Sequence, residues 1–239
     1  MKCDEIINKL QSMASDKYKS NVIKMGIPEE DSLGVSTANI RKMAKMIKKS
    51  NELAYELWET GYHEAKLLAV LLFDTKDFSL IEVEQLMNEV FSWDLCDHIC
   101  KNLIIKMDGY DKLISKWCES ERLYTKRAAF TLIASTVVNK KDIDQDVLDD
   151  YLQLINQYST DEKEHVKKAI LWALREIGKR DFDYNEKAII LSYEMVEDNN
   201  KARNWIGRNA LKELENLVKV EGRKRLISAN SKMGQVVKT

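Results

Sequence analysis

Pro28 is the only proline in this chain of 239 residues, and there are eight glycines. Sheets and α/β folds need frequent turns, and turns draw on Gly and Pro. So little of either points to long helices joined by short polar loops. The apolar residues agree. Ile6, Leu10 and Met13 mark one face of a first helix. Ile40, Met43, Ala44 and Ile47 mark another, with Ser36 or Thr37 as its N-cap after Gly34. Ala169, Ile170, Ala173, Leu174 and Ile177 give the clearest stripe. The breaks are short and polar, at 26–34, 60–61, 75–77, 108–109, 139–144, 159–161 and 181–183. About a dozen helices result, and no segment reads better as a strand.

Four segments share a polar residue, a small Ala and then a Leu-rich or apolar run, with the alanines at Ala65, Ala128, Ala169 and Ala210. The last two gaps are 41 residues each. A period near 40 with two or three helices per unit marks HEAT and armadillo repeats. The small residue lets neighbouring helices approach closely, and stacked units bury faces that no unit can bury alone. The expected fold is therefore all-α, a HEAT-like (armadillo-type) helical-repeat solenoid with a concave face. It reads as one domain over 1–239, with N-terminal helices at 1–60, repeats at 61–217, and a polar tail fraying from about Ala229 to Thr239.

Hydrophobic residues are 44% of the chain and charged residues 32%, which excludes a disordered tail. No apolar run approaches the roughly 18–20 residues of a spanning helix. The start lacks the basic and apolar stretches of a secretory signal. Cys3, Cys96, Cys100 and Cys118 do not read as a disulfide framework in a chain this long, so the expected home is the reducing cytoplasm. The net charge of −1 hides an asymmetry. Residues 1–120 balance to −4 and residues 121–239 to +3, with cations concentrated at 163–180 and 201–225. Such stretches are either the footprint of phosphate binding or solvated helix faces.

No phosphate-cradling glycine loop, nucleophile elbow or HExxH is present. Cys96 and Cys100 lie four apart with His98 nearby, but His63 and His165 offer no paired spacing. Small buried thiols are expected, with no metal and no cofactor. Trp93 and Asp97 fall on one face of a helix that Asp94 is placed to cap. Asp97 sits beside apolar Leu95, Cys96 and Ile99, so it either pairs with a basic neighbour or has a function. Lys168, Trp172 and Arg175 share a face of a later helix. That is a core Trp with surface cations, or an aromatic set against a sugar while cations hold phosphates. Arg127 near a helix start could grip a phosphate in fork geometry.

Taken together, Trp93-Asp94-x-x-Asp97, Lys126-Arg127-Ala128-Ala129 and Lys168-Ala169-Ile170-x-Trp172-x-Leu174-Arg175-Glu176 resemble the AlkD-type DNA glycosylases, a HEAT-like-repeat family of alkylpurine repair enzymes. Gly34-Val35-x-x-x-x-Ile40-Arg41 resembles their N-terminal motif. The resemblance runs from about Gly26 to Leu217. It implies a superhelix with double-stranded DNA in a basic concave groove, and excision of cationic N3- and N7-alkylated purines by N-glycosidic hydrolysis. It implies Asp97 as the catalytic carboxylate and Trp93 and Trp172 as contacts to the lesion's deoxyribose. Arg127 and Arg175 match DNA contacts, with Lys168 and Arg208 expected on the same wall. One departure is Met25, which falls near the place where the family carries an aromatic.

Three functions are distinguished. A glycosylase places Asp97 where it meets alkylated duplex DNA. A glycosylase-like protein binds damaged or branched DNA without excision. A HEAT-type scaffold holds a protein partner, and its cations scatter around the helices.

Overall fold

The computed structural model describes residues 1–236. Among them the chain forms fourteen α-helices, two 3-10 turns and one pair of two-residue strands. It divides into two compact units, Met1–Tyr110 and the chain from Asp111 onward. No Gly-, Pro- or Ser-rich linker marks the boundary at Tyr110 and Asp111.

The first unit holds α1 (Cys3–Ser12), α2 (Asp16–Lys24), α3 (Thr37–Ala44), α4 (Asn51–Glu59), α5 (His63–Leu72), α6 (Leu80–Met87) and α7 (Trp93–Asn102). Its centre is α5, where eight residues are buried, and α3, α4 and α7 pack on it. Ser36 caps α3 as expected, accepting from the Asn39 N–H. The lead-in to α3 is held from inside. The Glu64 side chain on α5 is fully buried and accepts hydrogen bonds from the Leu33, Gly34 and Val35 N–H groups at 2.9, 2.7 and 3.2 Å. The Ser32 hydroxyl adds a fourth at 3.3 Å. Burial of a carboxylate is costly unless such donors replace its hydration. Gly34 has φ +77°, and a Cβ there would lie 2.8 Å from Lys19 Cβ and 2.9 Å from the Ser15 carbonyl oxygen, so only glycine fits without strain.

The second unit holds α8 (Asp111–Cys118), α9 (Leu123–Asn139), α10 (Gln145–Tyr158), α11 (Glu164–Gly178), α12 (Phe182–Glu197), α13 (Lys201–Leu214) and α14 (Lys232–Gln235). Helix α9 packs along α11, and α11 along α13. Ala128 and Ala169 are each the sixth residue of their helix and fully buried, in the repeat expected. Ala210 is buried but sits tenth in α13, one turn later. At the seventh position of α13, Gly207 makes the close approach instead. A Cβ there would come within 2.4 Å of the Ser192 carbonyl oxygen and 2.9 Å of Met195 Cβ. The two 41-residue gaps are therefore not equivalent, because α13 uses a glycine where α9 and α11 use alanine.

The C-terminal region departs from the sequence reading. Leu217–Val218 (β1) and Ile227–Ser228 (β2) pair antiparallel where no strand was expected. Beyond them, where fraying was expected from Ala229, that residue is buried and its N–H bonds the Asn216 carbonyl oxygen at 2.7 Å. Ser231 caps α14, and Gly234 packs on the Ser228 carbonyl. Val237 to Thr239 lie outside the described residues.

Candidate nucleic-acid interface

Helix α7 carries the first group of expected site residues. Its N-cap is Ser92, which accepts from the Leu95 N–H, and not Asp94. Trp93 opens the helix at 37% exposure, and Asp97, one turn on, is recessed to 9%. A four-residue step puts the two on one face. Asp94 turns to α5, where its Oδ2 lies 2.8 Å from His63 Nε2. Burial by itself would raise the Asp94 carboxyl, but the His63 hydrogen bond and charge, with help from Ser92 and the Leu95 N–H, hold it below the ordinary aspartate value. His98 pins α7 to α5 from the next position, with Nε2 at 3.0 Å from the Leu67 carbonyl oxygen and Nδ1 at 3.2 Å from Asn102 Nδ2. Burial drives its pKa down to about 4. The helix bearing Asp97 is thus fixed by His63, which sequence spacing had set aside as a metal ligand, and by His98, which it had noted only as a neighbour of Cys96 and Cys100. Their signal was the interval of 31 residues between each His and its mate on the other helix.

Among the described residues no three His, Cys, Asp or Glu side chains converge as a metal site. Cys96, Cys100 and Cys118 are buried thiols outside any disulfide, and burial pushes the Cys118 thiol up to about 12.

In the second unit, Arg127 is the fifth residue of α9, past the orphan N–H groups of the helix end. Its contribution is therefore the side chain and not the helix terminus. The residue is buried overall, and Nη1 donates to the His165 carbonyl oxygen at 2.7 Å, tying α9 to α11. Neighbouring Lys126 pairs with Asp161 at 3.1 Å over the face of Tyr158. On α11, Trp172 is half-buried and Lys168 is exposed, its ammonium 3.1 Å from Glu164. Such exposed i,i+4 pairs contribute only about 0.3–0.5 kcal/mol, so a phosphate can displace the carboxylate. Arg175 is half-buried and paired with Glu213 at 3.1 Å. Arg208 is exposed on α13 and has no ion-pair partner among the described residues.

Tightly stacked helices with small residues at their crossings define a helical-repeat protein, in which α7 carries a recessed carboxylate one turn from a half-exposed tryptophan and α9, α11 and α13 carry cations. The chain belongs to the DNA alkylation repair enzyme family, whose model matches residues 6–214. Among solved structures it is similar to one described as "a new family of proteins related to the HEAT-like repeat DNA glycosylases with affinity for branched DNA structures". The TM-score is 0.75 at 22% identity, over 89% of this chain and 95% of that one. That likeness is one of fold. No curated protein matches the sequence. No helix among the described residues is long and apolar enough to cross a membrane.

Proposed function

We propose that this protein is a DNA glycosylase that hydrolyses the N-glycosidic bond of cationic N3- and N7-alkylated purines in duplex DNA. The carrying observation is Asp97, a recessed carboxylate one helical turn behind the half-exposed Trp93, in a chain of the DNA alkylation repair family. An alkylated purine already bears positive charge, so it departs as a neutral base without a general acid. The C1′–N bond breaks with its electron pair going to the base, which leaves an oxocarbenium-like sugar. The Asp97 carboxylate stabilises that cation and orients a water, whose oxygen bonds C1′ as its proton passes to solvent. Trp93 offers an electron-rich face to that charge, and Trp172 is assigned a contact to the lesion's deoxyribose. Arg127, Lys168, Arg175 and Arg208 hold backbone phosphates. The cytoplasm is the compartment in which such an enzyme meets its substrate. The test is release of free 7-methylguanine from methylated duplex DNA by the purified protein.

A second reading is carried by the solved relative described as having affinity for branched DNA. On that reading the chain binds damaged or branched DNA without excising bases. Binding of methylated duplex with no free base released selects it. A protein scaffold is the third reading, and absence of DNA binding at low salt selects that one.

A further inference from the structure

At the C-terminal ends of α9 and α11 lies an open cavity of about 270 Å³, within the second unit and separate from Arg127 and Trp172. Lys140, Lys141, Arg180, Lys224 and Arg225 line it, against a single carboxylate, Asp181. That carboxylate is occupied, since its Oδ1 caps α12 by accepting from the Tyr184 N–H at 2.9 Å. Five cations face Asp181 and, through Arg225, the Glu176 carboxylate, which leaves the cavity net positive.

Helix C-termini attract cations for structural reasons, because their last carbonyls are unpaired. Such a carbonyl accounts for Arg225, and the carbonyls of the loop after α9 account for Arg180. Arg225 donates to the Glu176 carbonyl and carboxylate at 2.7 Å each. Arg180 reaches the Lys141 and Ile143 carbonyls at 3.5 Å. Carbonyls do not account for Lys141 and Lys224, which are exposed and have no ion-pair partner among the described residues. Lys224 is held in place, because it sits on the β1–β2 hairpin. The Leu226 N–H bonds the Lys179 carbonyl oxygen at 2.8 Å, and Lys219 Nζ closes the loop on the Lys224 carbonyl at 2.7 Å. The hairpin therefore presents an uncompensated cation beside Lys141 from a fixed platform.

We propose that this cavity binds a backbone phosphate of DNA, as an anchor additional to the residues around Arg127. The proposal rests on the reading that the chain binds DNA, and not on base excision. Geometry favours a polymer over a free anion. Twelve residues of α9 separate Arg127 from Asn139, which is roughly 18 Å at 1.5 Å per residue. Successive phosphates of one strand are about 3.4 Å apart along the duplex, so roughly five steps span the helix. A single bound strand can occupy both places.

The test compares wild type, the Lys141→Ala/Lys224→Ala double variant, Arg127→Ala and Lys187→Ala on an unmodified duplex of roughly 20 base pairs across a salt series. One lost phosphate contact flattens the log–log salt slope by about 0.9, so from 50 to 200 mM salt the wild type loses about 3.5-fold more affinity than the double variant. Lys187, exposed and paired with Asp149 outside the cavity, leaves the slope unchanged. Both substituted lysines are exposed, and coincident denaturation curves verify the fold. An unchanged slope in the double variant, with wild-type duplex binding intact, overturns the proposal and leaves the DNA-binding reading standing. Failure of the wild type to bind duplex at low salt overturns both. Titration with inorganic phosphate is the second arm. Binding that disappears in the double variant without any change in the DNA slope makes the cavity a free-anion site and likewise overturns the proposal.

Discussion

His98 gives a stability prediction that can be worked through. It is buried on α7, and the Leu67 carbonyl can only accept, so Nε2 carries the proton and Nδ1 accepts from Asn102. Protonating Nδ1 would set an N–H against the Asn102 amide and place a charge in a buried site. Burial is the main cause of the depressed pKa of about 4, the Arg41 charge adds to it, and the Leu67 carbonyl works the other way. In the unfolded chain the imidazole titrates near its ordinary 6.5. Between those values the unfolded state binds more protons, so the contribution is complete above about pH 6.5 and is lost as pH falls toward 4. Integrated from pH 7.5 to pH 5, the loss is about 2 kcal/mol. Urea denaturation at those two pH values measures it in wild type and in His98→Gln, whose amide can still donate to Leu67. The variant is expected to show about 2 kcal/mol less pH dependence than wild type. Parallel losses in the two proteins would refute the argument. So would an imidazole resonance of His98 that titrates near 6.5 in the folded state. Because α7 carries Trp93 and Asp97, any acid loosening reaches the proposed chemistry directly.

Asp97→Asn keeps shape and removes the negative charge. Base release is expected to fall at least about tenfold, toward the roughly hundredfold typical of one lost electrostatic stabiliser, while duplex binding holds or tightens; equal rates move the chemistry to another residue. Asp94→Asn is expected to lower the melting temperature, because it weakens the His63 contact that fixes α7, and an unchanged melting curve counts against that role. If Arg127, Lys168, Arg175 and Arg208 each neutralise one phosphate, they contribute about −3.6 to the log–log salt slope, at roughly −0.9 apiece; a measured slope shallower than that removes at least one of them. Glu64→Gln replaces one acceptor oxygen by a donor facing N–H groups and is expected to cost about 3 kcal/mol or more in chemical denaturation; a loss under about 1 kcal/mol would show that the loop at 32–35 rearranges freely.

Much of this fold is legible in side-chain periodicity, because helix faces are local patterns. The stripe from Ala169 to Ile177 and the cap at Ser36 follow from residues within a turn or two of one another, and the equivalence of Ala128 and Ala169 follows from the same local pattern repeated 41 residues on. What escaped rests on distance. Glu64 looks like an ordinary surface residue until backbone N–H groups 29–31 positions away are folded onto it. Asp94 reads as a cap until His63 is brought beside it, and Ser92 then takes the cap. The β1–β2 hairpin spends its few residues on docking and has no apolar alternation to announce it. The cavity at the ends of α9 and α11 draws its cations from three separate stretches around 140, 180 and 224, so no window of sequence displays it. For the candidate site, the resemblance nominates the residues on α7, α9, α11 and α13, whereas their ion pairs are not legible in the sequence. Arg175 with Glu213 and Lys168 with Glu164 are side-chain choices that spacing does not report.

The backbone at 33–35 is a mould for an anion, and the molecule fills it with its own. Three converging N–H groups of this kind elsewhere take a phosphate from solution. Here the guest is Glu64, covalently part of the host and unable to leave. The Gly34-Val35 motif therefore works as joinery between α3 and α5. A sequence survey keyed to it would gather every chain that makes this joint, whatever stands at the position of Asp97. Sorting excising members from binding members by sequence has to begin at α7.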